Sequence, residues 1–127
     1  MIKVLIIEDS EVVRGRLNSV LAGAGYEVVE AFDGEHALEV FAQNQDVSLI
    51  VCDYNIPKTD GLSTLQNIFS KSPDGVVPSI MLTAETSPSA KQRGRSLGVL
   101  GWVLKPFKKK MILDVVDQVL ANTGEAS

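Results

Sequence analysis

Five side chains in this chain are chemically matched to one another: the carboxylates of Glu8, Asp9 and Asp53, the Thr83 hydroxyl and the Lys105 ammonium. Each stands at or just after the end of a short apolar run. Three carboxylates brought together repel and raise one another's pKa unless a cation relieves them. Mg²⁺ is the suitable ion. It takes oxygen ligands, keeps several waters, and uses one or two carboxylates with phosphate oxygens. Three acids carry three negative charges, and Mg²⁺ with Lys105 carries three positive ones. Such a balanced site suits phosphoryl transfer, in which positioning and charge neutralisation do most of the catalysis. Asp53 is then the nucleophile. Lys105 holds a phosphoryl oxygen as a point charge, and the Thr83 hydroxyl donates to another.

These residues converge only if the fold carries them to one edge. The apolar runs are Ile2–Ile7, Tyr26–Ala31, Val47–Asp53, Val77–Thr83 and Leu100–Leu104. The first, third and fourth are almost continuous in Val, Ile and Leu, as strands buried on both faces are. Between the runs lie segments of helical period. The first helix begins at the N-cap Ser10 and carries Val13, Leu17, Val20, Leu21 and Ala24 on one face. The second follows Asp33-Gly34, with Ala37, Leu38 and Phe41. The third follows Asp60-Gly61, with Leu62, Leu65, Ile68 and Phe69. The fourth opens on Ser87-Pro88 and is the most polar, with Gly94 inside it. The fifth carries Ile112, Leu113, Val116, Val119 and Leu120. Alternation of strand and helix implies a parallel sheet with helices on both faces. Ligands of such sheets sit beyond the carboxyl ends of the strands, where the five residues lie.

The chain has 127 residues, 45% of them hydrophobic, and one cysteine, Cys52, inside an apolar run. This length makes one domain, placed at 1–122, with a disordered polar tail over 123–127. A single cysteine excludes an internal disulfide. The N-terminus has no signal-peptide pattern and no apolar stretch reaches membrane-spanning length, so a cytoplasmic location and no membrane partner are expected. A net charge of −4 gives no basic face for direct nucleic-acid binding.

The patterns IIED at the first strand, CDYNIPKTDG around Asp53, MLTAE at the fourth and LKPF at the fifth resemble the receiver domain of two-component response regulators. The resemblance covers essentially the whole chain. It implies a flavodoxin-like α/β fold with five parallel strands in the order 2-1-3-4-5 and five helices, as in CheY. It implies a signalling domain rather than an enzyme, catalysing only its own phosphorylation and dephosphorylation. Asp53 would take the phosphoryl group from a phosphohistidine of a histidine kinase or histidine phosphotransfer protein. Asp9, Asp53 and the backbone carbonyl of Asn55 would ligate Mg²⁺, and Glu8 would reach it through water. Thr83 and Lys105 would clamp the phosphoryl group. Thr83 and Trp102 would form the switch, and Asn55 with Glu85 would tune dephosphorylation, giving a short-lived phosphoryl group. An output partner would bind the face of the fourth helix, fifth strand and fifth helix. A monomer and a phosphorylation-dependent dimer both stay open. Two positions depart from the commonest pattern: the acidic pair is Glu-Asp rather than Asp-Asp, and the switch aromatic is Trp rather than Tyr or Phe.

Singly, these residues have ordinary alternatives. Glu8 and Asp9 suit a solvated helix entry, Thr83 a strand, and Trp102 plain packing. His36 reads as a solvated helix residue. Lys108-Lys109-Lys110 is a solvated charge run or a docking patch. Two rival functions remain: a receiver-like binding module that no longer switches, and a phosphatase with an aspartyl-phosphate. The second wants a general acid near Asp53, and Asn55 cannot protonate a leaving group.

Overall fold

Every apolar run folds as a parallel strand that ends where its polar neighbour begins. The structure, a computed structural model, describes residues 1–84 and 87–123. The strands are β1 (Lys3–Ile7), β2 (Glu27–Ala31), β3 (Leu49–Asp53), β6 (Ser79–Thr83) and β7 (Gly101–Leu104). Two-residue strands β4 (Asn55–Ile56) and β5 (Thr59–Asp60) form a separate antiparallel hairpin. The main sheet runs β2-β1-β3-β6-β7, which is the expected 2-1-3-4-5 when the hairpin is set aside. Each main strand starts one or two residues later than its apolar run, because the first residues of a run lead into the sheet before pairing begins.

Strands alternate their side chains between the faces. Val4 and Ile6, Leu49 and Val51, and Ile80 and Leu82 pack with helices α1 (Glu11–Gly23) and α5 (Lys109–Thr123). Leu5 and Ile7, Ile50 and Cys52, and Met81 pack with α2 (Gly34–Gln43) and α3 (Gly61–Lys71), joined by Leu97 of α4 (Pro88–Leu97). β3 and β6 are buried throughout. Fully burying each such Leu or Ile contributes about 1.5–3 kcal/mol, so the two-sided core holds the strand ends in register.

Local chemistry sets the helix entries. Ser10, Asp33, Asp60 and Ser87 cap α1, α2, α3 and α4, each accepting a backbone N–H three residues on. At the end of α4, Gly98 has φ 108° and the Val99 N–H reaches back to the Gly94 carbonyl, a Schellman ending. Three details differ from the sequence reading. Ala24 is an exposed C-cap rather than part of the α1 core face, because the helix has ended there. His36 is half-buried; its ring stacks on Phe32 and its Nδ1 accepts the Phe32 N–H at 3.2 Å. Thr123 is the last residue of α5, its hydroxyl donating to the Leu120 carbonyl, so the helix passes the boundary placed at 122. Residues 124–127 lie outside the described residues. Among the described residues no helix is long and apolar enough to cross a membrane.

Candidate functional site

β1 delivers Glu8 and Asp9, β3 delivers Asp53, β6 delivers Thr83, and the residue after β7 is Lys105. β3 lies between β1 and β6, so Asp53 is central and the others flank it. One ligand atom from each of Glu8, Asp9 and Asp53 falls within 4.8 Å of the others. Glu8 and Asp53 are 1% and 4% exposed, whereas Asp9 faces solvent. Thr83 is fully buried at the neighbouring strand end.

Lys105 holds the two buried acids together. Its Nζ donates to Asp53 Oδ2 at 2.8 Å and to Glu8 Oε1 at 3.0 Å. Burial works against the ammonium charge, but these two hydrogen bonds outweigh it and raise the Lys105 pKa. The second Asp53 oxygen, Oδ1, accepts the Asn55 N–H at 3.1 Å. The second Glu8 oxygen accepts the Ser10 N–H at 3.0 Å. Burial nonetheless pushes the Glu8 carboxyl up to about 7 from an ordinary 4.5, with the Asp53 charge adding to the rise. Three carboxylates facing one ammonium leave the acid cluster short of positive charge. An all-oxygen donor set, one exposed acid and this residual deficit fit a hard divalent cation.

Backbone packing fixes the acceptor. A Cβ on Gly61 would collide with the Asp53 carbonyl oxygen, and the Gly61 N–H donates to the Tyr54 carbonyl at 2.7 Å. Glycine is thus required where the hairpin returns under the strand end. In sequence the Asp60-Gly61 pair signals only a helix start. Arg14 was also missed: it donates to the Glu8 carbonyl at 2.9 Å and pairs with Glu30 at 2.8 Å, fixing the acidic loop. Nothing in its position on α1 advertises a partner in the site loop. Cys52 is buried, and burial pushes its thiol well up, which leaves it a packing residue.

Asn55 is exposed on the hairpin. Trp102 is half-buried on the edge strand, tilted at 44° to Tyr54 with ring centroids 6.5 Å apart. Around it Lys91, Arg95, Val99, Leu100 and Gly101 line a pocket of ≈ 250 Å³. Met111 is exposed on α5, while Val115 is half-buried. Glu85 lies outside the described residues.

Comparison with known proteins agrees with this fold. The response regulator receiver domain family matches residues 4–117. A probable transcriptional regulator ycf27 of Porphyridium aerugineum is 36% identical over 125 residues, covering 98% of this chain and 50% of that protein. The chain thus spans about half the length of the ycf27 relatives it matches. The chemotaxis protein CheY1 of Helicobacter pylori is 30% identical over 121 residues, covering 94% of this chain and 98% of that one. The structure of Vibrio cholerae CheY4 superposes with a TM-score of 0.89 at 37% identity, over 94% of this chain and 99% of that one. With the matched residues spanning all five main strands, the chain belongs to the response regulator receiver domain family and is CheY-like.

Proposed function

We propose that Asp53 is the phosphoryl acceptor of this receiver domain and that Mg²⁺ bound by Asp9, Asp53 and the Asn55 carbonyl, with Glu8 behind a water, serves the transfer. The observation that carries the reading is the Asp53 carboxylate, buried at the centre of the sheet edge with the Lys105 ammonium at 2.8 Å. The bound cation would neutralise charge on the phosphoryl oxygens. This chain's residues do the rest. The hairpin N–H on Oδ1 and Lys105 on Oδ2 orient the nucleophile. A carboxylate oxygen forms the new O–P bond while the P–N bond of a phosphohistidine breaks, its electron pair staying on the imidazole. Lys105 then follows the transferred charge, and Thr83 donates to a phosphoryl oxygen. The donor is a histidine kinase or histidine phosphotransfer protein. The domain works in the cytoplasm, and catalyses only its own phosphorylation and dephosphorylation.

The output partner is assigned to the face of α4, β7 and α5. Leu100, Leu104 and Met111 are exposed there, and Leu100 lines a pocket with Lys91 and Arg95. Thr83 and Trp102 report the transfer to it. Asn55 and Glu85 give a short lifetime, and a half-life of many hours would contradict that role.

The test is to add Mg²⁺ and a small-molecule phosphodonor and to measure intact mass, with Asp53→Ala as control. A hydroxylamine-labile gain of one phosphoryl group that needs Mg²⁺ and Asp53 is expected. Its absence with every donor, in a folded protein, rejects the proposal.

A further inference from the structure

Asp60 carries two hydrogen bonds that belong to different parts of the molecule. Its Oδ1 accepts the Ser63 N–H at 2.8 Å and caps α3. Its Oδ2 accepts Arg93 Nη1 of α4 at 3.1 Å. The other terminal nitrogen of that guanidinium donates to Ser63 Oγ at 2.8 Å. One planar fork on α4 therefore spans the cap of α3, a geometry that a lysine cannot reproduce. Burial opposes the Asp60 charge, yet the Ser63 and Arg93 hydrogen bonds prevail and hold its carboxyl below the ordinary range.

The neighbours of this pair give it meaning. Asp60 lies across the hairpin from Asn55, whose N–H binds Asp53. The next residue, Gly61, abuts the Asp53 backbone. On the other side, the residue after Arg93 is Gly94, against which the Trp102 indole is seated. The acceptor loop and the indole's seat are thus each one residue from the same ion pair.

We propose that Asp60 and Arg93 are positioning residues that latch the acceptor hairpin to α4, so that displacement of either one is felt by the other and by Trp102. The inference rests on the reading of Asp53 as acceptor for its purpose, although the latch itself exists without phosphorylation. Coupling of this kind is reciprocal.

The experiment uses the full chain, metal-free, with Asp60→Asn, Arg93→Gln and both together. Asn keeps an oxygen for the cap and removes the charge. Amide hydrogen exchange is followed at Asn55 and Gly61 in the hairpin and along α4. Arg93→Gln is expected to speed hairpin exchange, and Asp60→Asn to speed α4 exchange, each by about two- to fivefold, the worth of one exposed pair. The double variant should add nothing to either single. Arg93→Lys, which keeps the charge and loses the fork, should fall between. With Mg²⁺ and beryllofluoride the single variants should still bind the mimic but lose the Trp102 fluorescence response of the wild type. Unchanged hairpin exchange in Arg93→Gln, additive effects, or an intact Trp102 response would each overturn the latch. A wild type that binds no beryllofluoride would instead reject the acceptor reading, and the exchange cycle would still decide the latch.

Discussion

Gly94 lets the Trp102 indole lie against α4: a Cβ there would stand 2.9 Å from the ring and 3.5 Å from Leu62. Mid-helix glycine costs roughly 1 kcal/mol relative to alanine, so this position gives up helical stability for the contact. Gly94→Ala would recover that amount but overpack a bulky ring, at about 1–3 kcal/mol. The net expectation is a destabilised protein with the indole pushed towards solvent. Urea unfolding and a red-shifted emission of the single tryptophan would report it. A more stable variant with unchanged emission would mean that the ring does not need this seat.

Glu8 makes the site pH-sensitive. Its carboxyl in the fold titrates near 7, above the ordinary 4.5. For a raised pKa the stabilising contribution is full below the unfolded value and is lost as pH rises through the folded one. Metal-free protein should therefore lose stability from Glu8 between about pH 5 and pH 8. Mg²⁺ needs the ionised form, so its affinity should rise over the same interval, and its stabilising effect with it. Thermal melts with and without Mg²⁺ across this range test both halves. Glu8→Gln should flatten both profiles; a retained slope would assign the proton to another group.

Among the described residues Lys105 is the only ammonium touching both buried acids. Breaking a buried ion pair from one side costs about 3–5 kcal/mol. Lys105 keeps 26% of its side chain exposed, and Glu8 can take up a proton when left alone. Lys105→Met should accordingly cost less, about 2 kcal/mol at pH 8 and a smaller amount at pH 6, where Glu8 is already protonated and only the Asp53 pair is lost. Mg²⁺ should restore part of the loss at pH 8. Equal destabilisation at both pH values would show that the Asp53 pair or the packing of the lysine stem, rather than the Glu8 charge, is what the site loses.

Strand ends were legible in the sequence because strands buried on both faces write continuous apolar runs that stop at their first polar residue. Glu8, Asp53, Thr83 and Lys105 stand at such stops. Helix entries were legible for the same local reason, since Ser10, Asp33, Asp60 and Ser87 act within one turn. The hairpin at Asn55–Asp60 was not, because two-residue strands are too short to show a period. Arg14 and Arg93 were silent because their partners, the Glu8 carbonyl and Asp60, are brought to them only by the fold. Gly94 was conspicuous as a poor helix residue, but its reason lies in Trp102, on another element.

Thr64 supplies the last test. Its Oγ1 is buried on α3 with no hydrogen-bond partner among the described residues, and a Cβ on Gly34 would stand 2.9 Å from it. An unsatisfied buried hydroxyl costs about 1–3 kcal/mol, and valine has the same shape with a similar helix propensity. Thr64→Val should therefore stabilise the protein by up to about 1 kcal/mol, read from urea unfolding. The neighbouring pocket, ≈ 190 Å³ and lined by Asp33, Lys58 and Asn67, is polar enough to hold water. If the valine variant is instead less stable, the hydroxyl is served by such a water, and the α2 entry, the hairpin turn and α3 are held together through it.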